Sequence, residues 1–399
     1  MSESRISNLP HPLRLGLLMF GLAVLVRLML FFAAGLPYGG FIPDYGPFAG
    51  DFTSFYTASQ LAQAGTPALA YDIPAHKAAQ IALWGEKANY FYFFFFYPPM
   101  FLLLCYPLAY VPYLWAVGLW LFITGAFYAA VMKRYAQGAL GYGMILAFAG
   151  VATTIGVGQN ALLSTGLMGL GILVLKRNPV LAGIAFGLMA YKPHLGLILP
   201  FVLIAAQQWR ALIAGGVTAL AFALASVMAF GAGAWHGFIA GSKVAFQVLE
   251  TDAIGDGGMM MSVFGAFNSY KLPLWLSWGT HILIACGVIA ITSWFFWRAR
   301  NIDIVAPMIA MGTLLITPFV LSYDLALYAI PMVWLYRHMQ RDGALPGESA
   351  LLTISFLWPW FAAGLSSDYG LPLTPLLSLA LFACLVRRAL RLMKEDAPA

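Results

Sequence analysis

Long apolar runs, broken by short polar or basic connectors, set the pattern of this chain. Runs near 13–34, 113–132, 140–156, 159–175, 179–191, 194–206, 210–232, 279–298, 303–321, 323–339, 349–364 and 371–390 are each candidate spans. A bilayer crossing takes roughly 20 apolar residues as a helix. The pattern therefore predicts an all-α polytopic membrane protein with twelve transmembrane helices. The stretch from Phe94 to Tyr110 is also apolar, but Pro98, Pro99 and Pro107 interrupt it. It reads as a re-entrant segment, which is tolerated where protein covers the backbone.

Two connectors are long. The first, 35–93, predicts two amphipathic helices suited to lying flat on the membrane surface. One begins near Thr53, carries Phe55, Ala58, Ser59 and Ala62 on one face, and ends at Gly65. The other runs from Pro74 to about Ala88, with Ile81 and Trp84 beside Lys77 and Lys87. The second connector, 235–278, holds Glu250, Asp252, Asp256 and a Gly/Met-rich patch from Gly255 to Met261. No internal repeat or low-complexity linker divides the chain, so residues 1–399 read as one membrane domain.

Composition agrees: 62% of the 399 residues are hydrophobic and 9% charged, against roughly 25% charged in a soluble domain. The net charge of +6 does not mark a nucleic-acid surface, because the basic residues sit in connectors. Lys133-Arg134, Lys176-Arg177, Arg210, Arg298/Arg300, Arg337/Arg341 and Arg387/Arg388/Arg391/Lys394 fall on the side that holds Arg5 and Arg14. That places 15 of the 21 basic residues on one side, with Lys77, Lys87, Lys243 and Lys271 on the other. Basic connectors stay cytoplasmic, so both termini are expected inside a multi-pass protein of the cell membrane. If 94–110 crossed, every later cluster would change sides. The first apolar run is longer than the core of a cleaved signal and reads as an uncleaved helix. Cys105, Cys286 and Cys384 sit in apolar runs without metal or disulfide spacing. No metal-ligand cluster, P-loop or dinucleotide fingerprint is present, so neither metal nor cofactor is expected.

This orientation collects the polar motifs on the outer side. They are Asp51, Gly158-Gln159-Asn160, Tyr191-Lys192-Pro193-His194, Ser322-Tyr323-Asp324 and Ser366-Ser367-Asp368-Tyr369. Each also has a plainer reading. Asp51 and Asp324 suit helix caps, and Gln159-Asn160 a capped turn. Lys192 and Arg27 suit side chains snorkelling to the interface, and His194 an ordinary hydrogen-bonding residue. The aromatic run 91–97 suits an interfacial belt, or the wall of a groove for a lipid tail or sugar face.

In order and spacing, several motifs together resemble glycosyltransferase family 87. They are Asp51-Phe52-x-x-Phe55-Tyr56-x-Ala58, Tyr97-Pro98-Pro99 with Pro107-Leu108, Gly158-Gln159-Asn160, and Ala182-Gly183 leading to Lys192-Pro193. The resemblance extends over about 14–340. It implies a fold of the GT-C class and a polyprenyl-phosphate sugar donor, as in the polyprenol-phosphate-mannose-dependent mannosyltransferases, used on the outer face. It also implies a catalytic aspartate in the first outer loop, where this chain has Asp51. Some members carry a histidine near the late outer turn; this chain departs from them with Ser322-Tyr323-Asp324.

Transfer needs a base for the acceptor hydroxyl and a cation near the leaving phosphate. Asp51 is the expected base. Lys192, with His194 and Arg27, is expected at the phosphate. Tyr56, Tyr97, Gln159, Asn160, Tyr323 and Asp324 are expected at the substrates, which are the polyprenyl-phosphate sugar and a lipid or glycan acceptor. Single displacement inverts the anomeric centre. The competing readings are a secondary transporter or flippase of lipid-linked sugars, and a glycan polymerase or ligase. Charge-free span centres and the absence of a repeat argue against a transporter.

Overall fold

The structure, a computed structural model, describes residues 11–42, 46–85, 91–136, 138–251, 260–299 and 301–395. Arg5, Lys87, Ala88, Asp252, Gly255, Asp256 and Arg300, named above, lie outside the described residues.

Among the described residues the chain is helical apart from one hairpin and a single bridge between Met260 and Leu321. Helix α1 (His11–Gly35) leads to strands β1 (Phe41–Ile42) and β2 (Gly46–Pro47), which pair antiparallel. Then come α2 (Gly50–Gln63), α3 (Ile73–Trp84) and α4 (Pro99–Cys105), the last continued by a 3-10 turn over Tyr106–Tyr110. Helices α5 (Tyr113–Met132), α6 (Gly138–Leu146), α7 (Ala149–Val157), α8 (Ala161–Val174), α9 (Pro179–Leu188) and α10 (Leu199–Ala205) follow. The C-terminal half holds α11 (Trp209–Glu250), α12 (Val263–Ser269), α13 (Leu274–Arg298), α14 (Met308–Ile316), α15 (Ala329–Asp342), α16 (Glu348–Tyr369) and α17 (Thr374–Glu395).

Among the described residues, six helical stretches are long and apolar enough to cross a membrane: 13–38, 113–132, 138–157, 209–250, 274–298 and 348–369. Five of the other expected spans resolve into shorter pieces. Helices α8, α9, α10, α14 and α15 have 14, 10, 7, 9 and 14 residues. Their ends are broken by Gly158, Pro193, Pro318 and the 3-10 turn Ser322–Tyr328. Polar turns inside the protein body become possible because neighbouring helices cover them.

Three expectations need correction. The first helix of the 35–93 connector starts at Gly50 and does not lie on a surface. Its residues Phe52–Ser59 are all buried, with Phe55 against Phe101 at 4.8 Å and Tyr56 against Tyr113 at 5.3 Å between ring centres. Aromatic residues on every side, from α4 and α5, supply a core where a lone amphipathic helix would have used lipid. The 235–278 stretch is not an open loop either, because α11 runs through to Glu250. At about 1.5 Å per residue its 42 residues reach roughly 60 Å, twice a bilayer core of about 30 Å. A break at Gly231 (φ 74°, ψ 168°) lets the second half turn and pack on the first connector, with Phe238 against Tyr71 at 6.1 Å.

The third correction concerns Arg388. Charge alone placed it with the solvated cytoplasmic residues. The side chain is instead fully buried and grips Glu348 through Nε at 3.0 Å and through Nη2. The segment Phe94–Tyr110 holds α4 and its 3-10 turn, with Phe101, Leu102 and Cys105 fully buried.

Candidate active site

Asp51 sits in the first turn of α2, held there by its neighbours. Tyr113 donates its hydroxyl to the Phe48 carbonyl at 3.0 Å and lies 3.0 Å from Thr53 Oγ1. Ser54 donates to the Asp51 carbonyl at 2.9 Å. The Tyr113 bonds tie the chain entering α2 to α5, and the Ser54 bond closes over the first turn of α2 itself.

The turn between α7 and α8 then meets this helix start. Gly158 adopts φ +72°, and a Cβ there would lie 2.7 Å from the Cβ atoms of both Ala49 and Phe52. Only glycine combines the left-handed backbone with so close an approach. The next residue, Gln159, reaches Asp51: its Nε2 donates to Asp51 Oδ2 at 3.0 Å. Its Oε1 accepts from the Tyr97 hydroxyl and from the Asn160 backbone N–H, both at 3.0 Å. With two donors on the oxygen, the amide orientation is determined and the nitrogen must face the carboxylate.

Burial pushes Asp51 up from the usual carboxylate value to about 6; the Gln159 hydrogen bond and the charge of Lys192 act against this, and Asp324 adds to it. A carboxylate poised near neutral pH, held by a neutral amide, is suited to accept a proton.

Lys192 arrives from the turn after α9 and is 4% exposed. Its Nζ donates to Asp324 Oδ1 at 2.6 Å and lies 4.9 Å from the Tyr323 ring centre and 5.9 Å from that of Tyr97. Asp324 is itself fixed, with Oδ2 accepting from the Leu321 backbone N–H at 3.2 Å. Its role as a cap and its role as the lysine's partner are thus both realised. Asn160 is fully buried, and its side-chain amide has no hydrogen-bond partner among the described residues.

Seven expected site residues therefore gather: Asp51, Tyr97, Gln159, Asn160, Lys192, Tyr323 and Asp324. Three do not join them as expected. Arg27 is exposed on α1 with no hydrogen bond or ion pair among the described residues, because its face of α1 points away from the other helices. Tyr56 spends its hydroxyl on the Val111 carbonyl at 2.9 Å and braces α2. His194 is close enough to feel the charges of Lys192 and Asp324, but its ring packs on Phe319 at 6.2 Å and makes no hydrogen bond among the described residues. The aromatic run is extended, not a belt. Phe95 and Tyr97 turn inward on alternate positions, while Phe94 and Phe96 stack at 4.8 Å on the other side.

The sequence reading missed two supports, Tyr113 and His76. Tyr113 gave no signal among many aromatics; His76 is a polar residue in a helix assigned to the membrane surface.

The family model of glycosyltransferase family 87 matches residues 95–318, more than half of the chain. The chain belongs to glycosyltransferase family 87. It is accordingly a glycosyltransferase, and its long apolar helices make it a membrane enzyme. No curated protein and no solved structure matches it significantly. In this family 87 glycosyltransferase, Tyr97, Gln159, Asn160, Lys192 and His194 lie within the matched residues. Asp51, Tyr323 and Asp324 lie outside them and join the group only through folding.

Proposed function

We propose that the enzyme moves a hexose, mannose in the first instance, from a polyprenyl-phosphate sugar to a lipid or glycan acceptor. The reaction takes place on the outer face of the cytoplasmic membrane, within a GT-C-type fold whose 94–110 segment is re-entrant. The observation that carries this reading is Asp51, a half-buried carboxylate with a raised pKa oriented by Gln159 beside the Lys192–Asp324 pair.

The acceptor hydroxyl oxygen attacks the anomeric carbon while its proton passes to Asp51. The bond from that carbon to the phosphate oxygen breaks, and its electron pair leaves with the polyprenyl phosphate. One displacement inverts the anomeric centre. An ammonium has three N–H donors, and Lys192 gives one to Asp324. The others are available to phosphate oxygens, where the new charge collects. Asp324 steers the lysine in this scheme. Tyr97, Tyr323 and Asn160 line the sugar, and His194 stands behind the phosphate. Arg27, exposed on α1, is left for the phosphate before it enters.

Purified protein is assayed with polyprenyl-phosphate mannose and a lipid acceptor. Asp51→Asn is expected to lower transfer by about a hundredfold or more while donor binding persists; undiminished turnover removes Asp51 from the reaction. Reporter fusions in the 133–138 loop test the orientation, and an outer location there overturns it.

A further inference from the structure

Helix α3 is built inside out. Its two buried side chains are His76 and Gln80, one turn apart, whereas Ile73, Ile81, Leu83 and Trp84 are only half-buried. Burying polar groups is unfavourable unless their hydrogen bonds are met, and both residues meet theirs on segments that carry the active site.

The His76 ring bridges two of them. Its Nε2 lies 2.9 Å from Thr57 Oγ1 and 3.2 Å from the Ser54 carbonyl, both on α2. Its Nδ1 lies 3.3 Å from the Tyr92 hydroxyl and 3.5 Å from Gln80 Nε2. Thr57 already donates its single hydroxyl proton to the Thr53 carbonyl at 2.7 Å, so Nε2 must be the donor toward α2. The ring is then the neutral Nε2–H tautomer, with Nδ1 accepting from Tyr92. Burial, which holds the imidazole down at about 4, is consistent with that form.

Gln80 completes the grip. It donates Nε2 to the Phe93 carbonyl at 2.7 Å and accepts from the Phe93 N–H at 3.2 Å. Phe93 lies four residues before Tyr97, one end of the Tyr97–Gln159–Asp51 chain. Ser54, whose carbonyl His76 holds, donates its own hydroxyl to the Asp51 carbonyl at the other end. One helix thus fastens both ends of the hydrogen-bonded chain that orients the carboxylate.

We propose that His76, with Gln80, is a positioning residue of the transfer reaction, setting the Asp51 carboxylate against Gln159 and Tyr97 without touching substrate. This rests on the reading of Asp51 as the base. A purely packing role would be served as well by leucine or phenylalanine, and that distinction is testable.

The experiment uses the full chain in lipid nanodiscs. His76→Phe keeps the ring volume and removes both hydrogen bonds; His76→Gln restores a donor toward Ser54. In His76→Phe we expect kcat to fall about tenfold to a hundredfold, the scale of a misplacement of about 1 Å. The KM for polyprenyl-phosphate mannose stays within about twofold, since uniform binding is untouched, and His76→Gln recovers most of kcat. Gln80→Met, which frees only the 91–97 segment at Phe93, shows the same pattern more weakly.

A second measurement needs no turnover. The carboxyl infrared band of Asp51, isolated by subtracting Asp51→Asn, is titrated in each variant; its midpoint reflects the groups facing it, Gln159, Lys192 and Asp324. A shifted midpoint in His76→Phe supports the proposal. An unmoved midpoint overturns it, whether kcat is unchanged or falls with thermal stability and is not rescued by glutamine. If no variant and no wild-type protein transfers a sugar from the polyprenyl-phosphate donor, the functional reading fails, while the midpoint still decides whether His76 governs Asp51.

Discussion

Two ion pairs among the described residues of this enzyme have both partners buried, one of them at the start of α16. Arg388 meets Glu348 at its start, and Lys192 meets Asp324 near the segment 320–321, which pairs with Met260-Met261; Met261 in turn touches Thr374, just past the other end of α16. The arginine pair is held at several points, although Arg388 Nη1 has no partner among the described residues. Arg388 engages both Glu348 oxygens and the Gly343 carbonyl at 2.8 Å, and Glu348 Oε2 also accepts from the Leu345 N–H at 2.7 Å. That arrangement locks the 343–348 turn to α17 in a rigid two-point fork. The lysine pair has one contact, aromatic faces around the ammonium, and a second carboxylate, Asp51, within electrostatic reach. Burial of charge is common to both, so burial alone does not mark function. A second carboxylate of raised pKa beside the pair does.

The sharpest test of the contrast is Asp51→Asn, expected to lower transfer by about a hundredfold to ten-thousandfold, the range of a lost general base. Burial favours the neutral carboxyl here, so at pH 8 the ionised Asp51 works against the folded state. The asparagine variant should therefore melt at or above the wild-type temperature, and a lower melting temperature breaks the account of its environment.

Next come the pairs themselves. Removing one partner of a buried pair costs about 3–5 kcal/mol, whereas replacing both with apolar residues is often close to neutral. Lys192→Met and Arg388→Met should each lower the melting temperature, and Lys192→Met/Asp324→Leu and Arg388→Met/Glu348→Leu should each regain it. Only the arginine double variant is expected to regain sugar transfer as well. Transfer by the lysine double variant would make the two pairs equivalent and end the comparison.

Gly158→Ala addresses the approach of the α7–α8 turn to α2. It should cost about tenfold or more in kcat, because displacing Gln159 by even about 1 Å misaligns Asp51. Wild-type kcat in that variant would show that the close approach does not serve the site. The smallest effect is the pH response. Asp51 must be ionised to accept a proton, so kcat/KM should fall as pH drops through about 6 and be flat above it. A limb near 4 would instead indicate an ordinary exposed carboxylate.

Much of this was legible along the chain. The apolar runs 13–34, 113–132, 279–298 and 349–364 predicted helices α1, α5, α13 and α16 close to their observed bounds. Asp51, Gln159, Lys192 and Asp324 stood out because charged or amide groups are scarce in a chain this apolar. The shorter runs were harder. A run of 13–19 apolar residues reads the same whether it crosses lipid or fills a protein interior, so α8, α9 and α14, with 14, 10 and 9 helical residues, looked like full spans. The burial of α2 was hidden for a related reason: its serines and threonines are polar in sequence, yet they bond to carbonyls one turn back and so tolerate burial, as Thr57 and Ser59 do.

The sequence by itself determined that this is a helical membrane protein and which few polar residues were available for chemistry. Both follow from composition, since lipid excludes unpaired charge and leaves only useful polar groups behind. Which of those residues meet was decided by tertiary structure alone. Lys192 and Asp324 are 132 positions apart, and Asp51 and Gln159 are 108 apart. No local periodicity encodes such pairings. They exist because Gly158 lets two backbones touch and because a buried lysine and a buried aspartate each need the other.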